Sequence, residues 1–170
     1  MKIIFITTAL LFSVINMPIL AQAPAAKKQT ETKTKITAND VALEALNHVK
    51  SIFTITATAT NIEKAAKAAA EVQSISEKIV ALQAVLKATP MPTVAEKKAF
   101  AQKMLQYGPQ VSVIIKKMTS TLDANSDEVN KMIQPAVTSF QAKIKLTMTL
   151  IDTYYPEKEM TRYMNELKGK

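Results

Sequence analysis

Apolar residues recur at alternating steps of three and four through most of this chain. Between residues 61 and 88 the positions Ala65, Ala68, Val72, Ile75, Ile79, Leu82 and Leu86 advance in this way, which lays one apolar seam along one side of a helix. Lys64, Lys67, Glu71, Glu77 and Lys78 fall off that seam. The helix is expected to stop at Thr89-Pro90-Met91-Pro92, because each proline disfavours helical geometry in the residue before it.

Thr93 followed by Glu96 has the spacing of a capping box, in which each side chain satisfies a free N–H of the other residue. The seam behind it is Phe100, Met104, Tyr107, Val111, Ile114, Met118 and Leu122. Its phase runs unbroken through Gly108-Pro109, which predicts one long helix kinked at the proline, because a true loop would reset the register. Asp123-Ala124-Asn125-Ser126 is the next turn, with Ser126 as cap and Asp127 and Glu128 placed against the positive helix end. A third seam follows: Val129, Ile133, Ala136, Phe140, Ile144, Thr147, Ile151 and Tyr154, with a phase slip between Phe140 and Ile144 and a bend expected at Pro135. Pro156 suits the first turn of a short terminal helix carrying Met160, Tyr163, Met164 and Leu167.

Residues 40–60 carry two adjacent apolar rows, Ala42, Leu46, Val49, Phe53 and Val41, Ala45, Ile52, Ala59. A face that broad predicts a helix seated between two others, starting at Asn39-Asp40. Its end is ambiguous. Residues 54–60 alternate with a period of two, but no partner strand is evident, so they are read as helix or frayed helix. Only Gly108 and Gly169 supply glycine, and no Asn-Gly or Asp-Gly hairpin turn occurs. The expected fold is all-α: an elongated antiparallel bundle of four to five helices over residues 39–170. Its three long helices, of about 28 residues each, would be about 42 Å in length.

The N-terminus breaks this pattern. Lys2 precedes an apolar run from Ile3 to Leu20 and then Ala21-Gln22-Ala23; a basic start, an apolar stretch and small residues two apart form a secretory signal peptide over residues 1–23. Cleavage is expected after Ala21, Ala23 or Ala25, since Pro24 obstructs a cut at Ala23. A retained anchor is disfavoured because Thr7, Thr8, Ser13, Asn16 and Pro18 interrupt the run. Residues 24–38 hold Lys27, Lys28, Lys33 and Lys35 against Glu31 and have little to bury, which predicts a flexible basic leader.

Composition narrows the chemistry. The chain has 170 residues, no cysteine and a net charge of +8. Disulfides and a lipid-modified cysteine are excluded, so stability must come from a core, and the length after cleavage suffices for one domain. A mildly basic surface by itself attracts polyanions only weakly and in a salt-sensitive manner.

No motif rises to a catalytic signature. His48 is the sole histidine and forms an i, i+4, i+8 row with Asp40 and Glu44, a weak candidate for a divalent metal. A helix flank in which Glu44 pairs with His48 is the preferred reading. Nine methionines raise a thioether copper site, with Met160 and Met164 one turn apart, or a haem held by His48 and a methionine. Met104, Met118 and Met164 have seats on apolar faces, and no Cys-x-x-Cys-His occurs, so no cofactor is expected. Asp152, Glu157 and Glu159 surround a helix start, where acids are ordinary stabilising residues. Phosphate loops, nucleophile elbows and zinc-protease motifs do not occur, and an enzyme is not expected.

Surface recognition remains. Tyr154, Tyr155 and Tyr163 are either a partner-binding cluster or the core corner where the last helix folds back. Lys97, Lys98, Lys103, Lys116 and Lys117 form the alternative site, a basic strip for anionic membranes or other polyanions. With one arginine and no tryptophan, nucleic acid is not expected. The chain is read as an exported non-enzymatic module, periplasmic or extracellular, binding an unidentified protein partner or serving a structural role as monomer or homodimer.

Overall fold

A computed structural model describes residues 36–169; the expected signal peptide, and all of the expected leader before Ile36, lie outside the described residues. Within them the chain is all-helical, with α1 (Ala38–Thr56), α2 (Ile62–Ala88), α3 (Val94–Ala124), α4 (Asp127–Tyr154) and α5 (Glu157–Lys168). Each long helix opens on a residue that satisfies its first free N–H groups. Thr93 and Glu96 form the expected capping box on α3, and Ser126 caps α4. The start of α1 differs from the sequence reading. Thr37 is its cap, and Asp40 closes a second capping box by accepting from the Thr37 N–H at 2.9 Å and its hydroxyl at 2.7 Å. The helix therefore begins before Asn39, because Thr37 can exchange hydrogen bonds with the residue three ahead.

Residues 54–60 divide. Thr54 to Thr56 complete α1, and 57–60 form a tight turn closed by Thr58 N–H to Ile55 O and Ala59 N–H to Thr56 O. The α3 helix is continuous through Gly108-Pro109, and α4 through Pro135. Pro135 is exposed, so the carbonyl four residues before it, left without its N–H partner, can meet water.

Consecutive long helices reverse direction at their short turns, giving two hairpins, α1/α2 and α3/α4. Their stacking is parallel. Between α2 and α4, Glu77 meets Lys143, Gln83 Nε2 donates to Thr147 Oγ1 at 2.8 Å, and the Tyr154 hydroxyl donates to Leu86 O at 2.7 Å. Both partners advance together along the chain, as only parallel helices allow. Between α1 and α3, Asn39 meets Glu96, Leu46 meets Tyr107, Lys50 meets Gln110 and Ala57 meets Thr121 in the same sense. The most extensive helix contact is α2 on α4. Ala65, Ala68 and Ser76, all buried on α2, leave room for it.

The first helix is the hub. It packs on α2, α3 and α4, and both of its apolar rows are buried, from Val41 to Ala59, as its broad face requires. Two large clusters run along the interior. One joins Leu46, Leu86, Phe100, Ile151 and the α5 residues Met160 and Met164; the other joins Val49, Phe53, Val72, Ile79, Val111, Ile115 and Phe140. The short helix α5 lies against α3.

Candidate functional site

The histidine row does not gather a metal site. Asp40 is engaged by Thr37 in the capping box, and Glu44 sits 3.8 Å from His48 along the same helix flank. Among the described residues no group of three His, Cys, Asp or Glu side chains could hold a metal ion. Met160 and Met164 are both buried in the α5 cluster, among Phe100, Tyr155 and Tyr163. The acids around Pro156 have structural tasks: Asp152 accepts from the Glu157 N–H at 3.2 Å, and Glu159 meets Lys97 at 2.6 Å. That contact with the Lys97 ammonium holds the Glu159 carboxyl below its usual range.

The tyrosines occupy the core corner rather than a docking surface. Tyr154, Tyr155 and Tyr163 are only 7%, 3% and 2% exposed. Tyr154 donates to Leu86 O and approaches Thr89 O at 3.2 Å, satisfying carbonyls that the end of α2 leaves free. Tyr155 stacks on Phe100 with ring centroids 4.2 Å apart and donates to Asn39 Oδ1 at 2.6 Å. Asn39 in turn donates to Glu96 O at 2.9 Å, so one amide ties the starts of α1 and α3 to the end of α4. Burial raises the Tyr155 phenol well above its ordinary range, and the nearby Glu96 and Asp40 charges push the same way. Burial likewise raises Tyr107, whose hydroxyl donates to Leu46 O. The opposite end is tied by amides and a hydroxyl: Asn125 donates to Ala59 O at 2.7 Å, Asn130 to Leu122 O at 2.9 Å and Thr121 to Ala57 O at 3.1 Å.

The lysine strip is divided by α5. Lys97 is only 15% exposed in its pair with Glu159, and Lys98 meets Glu166 at 2.8 Å while lying over the Tyr163 ring. Lys103, Lys116 and Lys117 stand exposed farther along α3. A strip read along one helix could not anticipate this, because the neutralising carboxylates arrive from a helix about 60 residues away.

The feature that sequence reasoning missed is apolar. Ile36, Met91 and Val94 are 60%, 56% and 61% exposed, and Val85 is also exposed. All four sit at the end where α1 begins, α2 finishes and α3 starts. The available signal was Met91 between two prolines and Val94 just inside the capping box, both outside the helical seams. No family model, curated protein or solved structure matches this chain, so any functional reading rests on these residues themselves.

Proposed function

We propose that this chain is exported on its N-terminal segment, residues 1–23, and acts in the periplasm or outside the cell as a non-enzymatic helical module, binding a protein partner or serving a structural role. The observation that supports this is the employment of the polar side chains: Asn39, Tyr107, Tyr154, Tyr155, Lys97, Glu159 and Asn125 hold helix ends and helix faces together. Groups engaged in this way serve rigidity, and function falls to the outer surface.

Recovery of the protein from the cell envelope and medium, followed by N-terminal sequencing, tests the export half. A start at Gln22, Pro24 or Ala26 is expected; intact Met1 on cytoplasmic protein contradicts it. The binding half is tested by photo-crosslinking in intact cells from probes at the exposed positions Val94, Val113 and Leu146. A discrete adduct from one of the three is expected, and none from any contradicts a protein partner.

A second reading, docking on an anionic surface, was tied in the sequence to the leader and to the lysines from 97 to 117. Pairing of Lys97 and Lys98 with α5 weakens the strip as its seat.

A further inference from the structure

The last helix is tied to the protein differently from the other four. Helices α1 to α4 are joined to one another by hydrogen bonds at both ends. Asn39 on Glu96 O, Tyr155 on Asn39 and Tyr154 on Leu86 O hold one end; Asn125 on Ala59 O and Thr121 on Ala57 O hold the other. None of these ties involves α5, so the four-helix body closes without it.

The short helix packs on α3 and has 12 residues, a length at which a helix is not stable alone in water. Its junction with α4 is a break of two residues. Tyr155, at φ −132° and ψ 69°, and Pro156, at φ −55° and ψ 132°, both leave the helical region. Pro156 has no N–H with which to continue the α4 ladder, and the Glu157 N–H turns to the Asp152 carboxylate at 3.2 Å. Rotation at this junction breaks that side-chain hydrogen bond and leaves both helices intact.

An apolar contact edged by charge holds α5 down. Met160, Tyr163 and Met164 are buried, in a cluster that includes Ala101 and has Met104 and Leu105 packed against it. These three α3 residues follow Lys97 and Lys98 by one and two turns, so they share the lysines' face. Lys97 meets Glu159 at 2.6 Å, and Lys98 meets Glu166 at 2.8 Å. The Tyr163 ring has Lys98 at 5.3 Å and Arg162 at 4.8 Å from its centroid. Lys98 and Glu166 are exposed, which leaves their pair open to screening by salt.

We propose that α5 is a strap: it opens and recloses on α3 as a unit while α1 to α4 stay folded, and Lys97 and Lys98 set how often it opens. Local openings draw on the elements with the fewest ties to the rest of a fold. Opening uncovers Ala101, Met104 and Leu105 beside two lysines released from their carboxylates, so a strip covered in the closed protein joins its outer surface. This goes beyond the rigid module proposed above by giving it one moving part.

Native-state hydrogen exchange tests it, read peptide by peptide on the chain without residues 1–23, which keeps every described residue. Amides in 160–167 should exchange through an opening much less sensitive to low denaturant than exchange in 41–53 or 72–86. Lys97→Gln with Lys98→Gln should speed exchange in α5 about fivefold and leave α1, α2 and α4 unchanged. Raising salt from about 0.05 to about 0.5 M should act in the same direction. Lys116→Gln with Lys117→Gln, farther along the same helix, should change nothing in α5. Three results overturn the proposal: exchange in α5 only through global unfolding at the rate of α1, no change in α5 on replacing Lys97 and Lys98, or equal acceleration of all five helices by that replacement. An intact Met1, or no cross-linked partner, would leave these rates untouched.

Discussion

Tyr155 and Asn39 are 116 residues apart in the chain, and the tyrosine hydroxyl donates to the asparagine Oδ1 at 2.6 Å. The same asparagine donates to Glu96 O, and the same ring stacks on Phe100. Three helix ends and one aromatic stack therefore depend on one buried phenol. Tyr155→Phe keeps the stack and leaves Asn39 Oδ1 without its donor, which should cost about 1–3 kcal/mol. Chemical denaturation at neutral pH reads this directly.

Tyr155 and Tyr107 also set the alkaline limit of the fold. Burial raises both phenols, so the folded protein keeps two protons that the unfolded chain begins to lose near pH 10. Stability from this source is complete below about pH 10 and falls as pH rises toward the raised folded values. Thermal unfolding should drop steeply above pH 10 in the natural chain. In a Tyr107→Phe, Tyr155→Phe variant the drop should be shallower, though its stability at pH 7 is lower.

Thr56 presents the reverse case. It is buried at the end of α1, and its hydroxyl lacks a hydrogen-bond partner. Thr56→Val removes a desolvated polar group while keeping the branched shape, and it should stabilise the protein by about 1 kcal/mol. A lower melting temperature for Thr56→Val would show that the hydroxyl has a partner.

The latch between α3 and α5 is electrostatic at two points, Lys97 with Glu159 and Lys98 with Glu166. Glu159 has its carboxyl lowered by Lys97, so its contribution is present above the ordinary glutamate range near pH 4.3 and lost as pH falls through the lower folded value. The melting temperature of Glu159→Gln should lie below that of the natural chain at pH 6, and the two should converge as pH falls through the lowered folded value.

The seams of α2 and α4 were legible because large residues at steps of three and four meet large neighbours. Val72, Ile79, Leu86, Phe140 and Ile151 are all buried as their spacing demanded. The face of α3 was less so. Ile115 is buried where the sequence favoured Ile114, and Ala101 and Gly108 join it; these small residues leave little hydrophobic signal. Ser76 was invisible for a similar reason: its hydroxyl donates to Val72 O and lets a polar residue enter the core. The tyrosines could be read as core or surface until Asn39 and the end of α2 supplied partners. Pairing across hairpins carries no local signature at all, since turn lengths fix only which helices reverse.

That pairing has a steric consequence. Ala68 is buried in the helix pair α2/α4, the most extensive helix contact, in a cluster with Val129 and Ile133. Ala68→Leu should cost about 1–3 kcal/mol by overpacking, whereas Ala66→Leu, exposed two residues away on the other side of the helix, should stay within about 0.5 kcal/mol.

The stacking of α2 and α4 in parallel is tested most directly by paired cysteines, since the natural chain has none to interfere. Cysteines replacing Gln83 and Thr147 should be joined by a short bifunctional thiol reagent within one chain, whereas cysteines replacing Gln83 and Gln134 should stay apart. Cross-linking of the second pair and not the first would mean that the two helices run in opposite directions, and the parallel arrangement of the hairpins would be wrong.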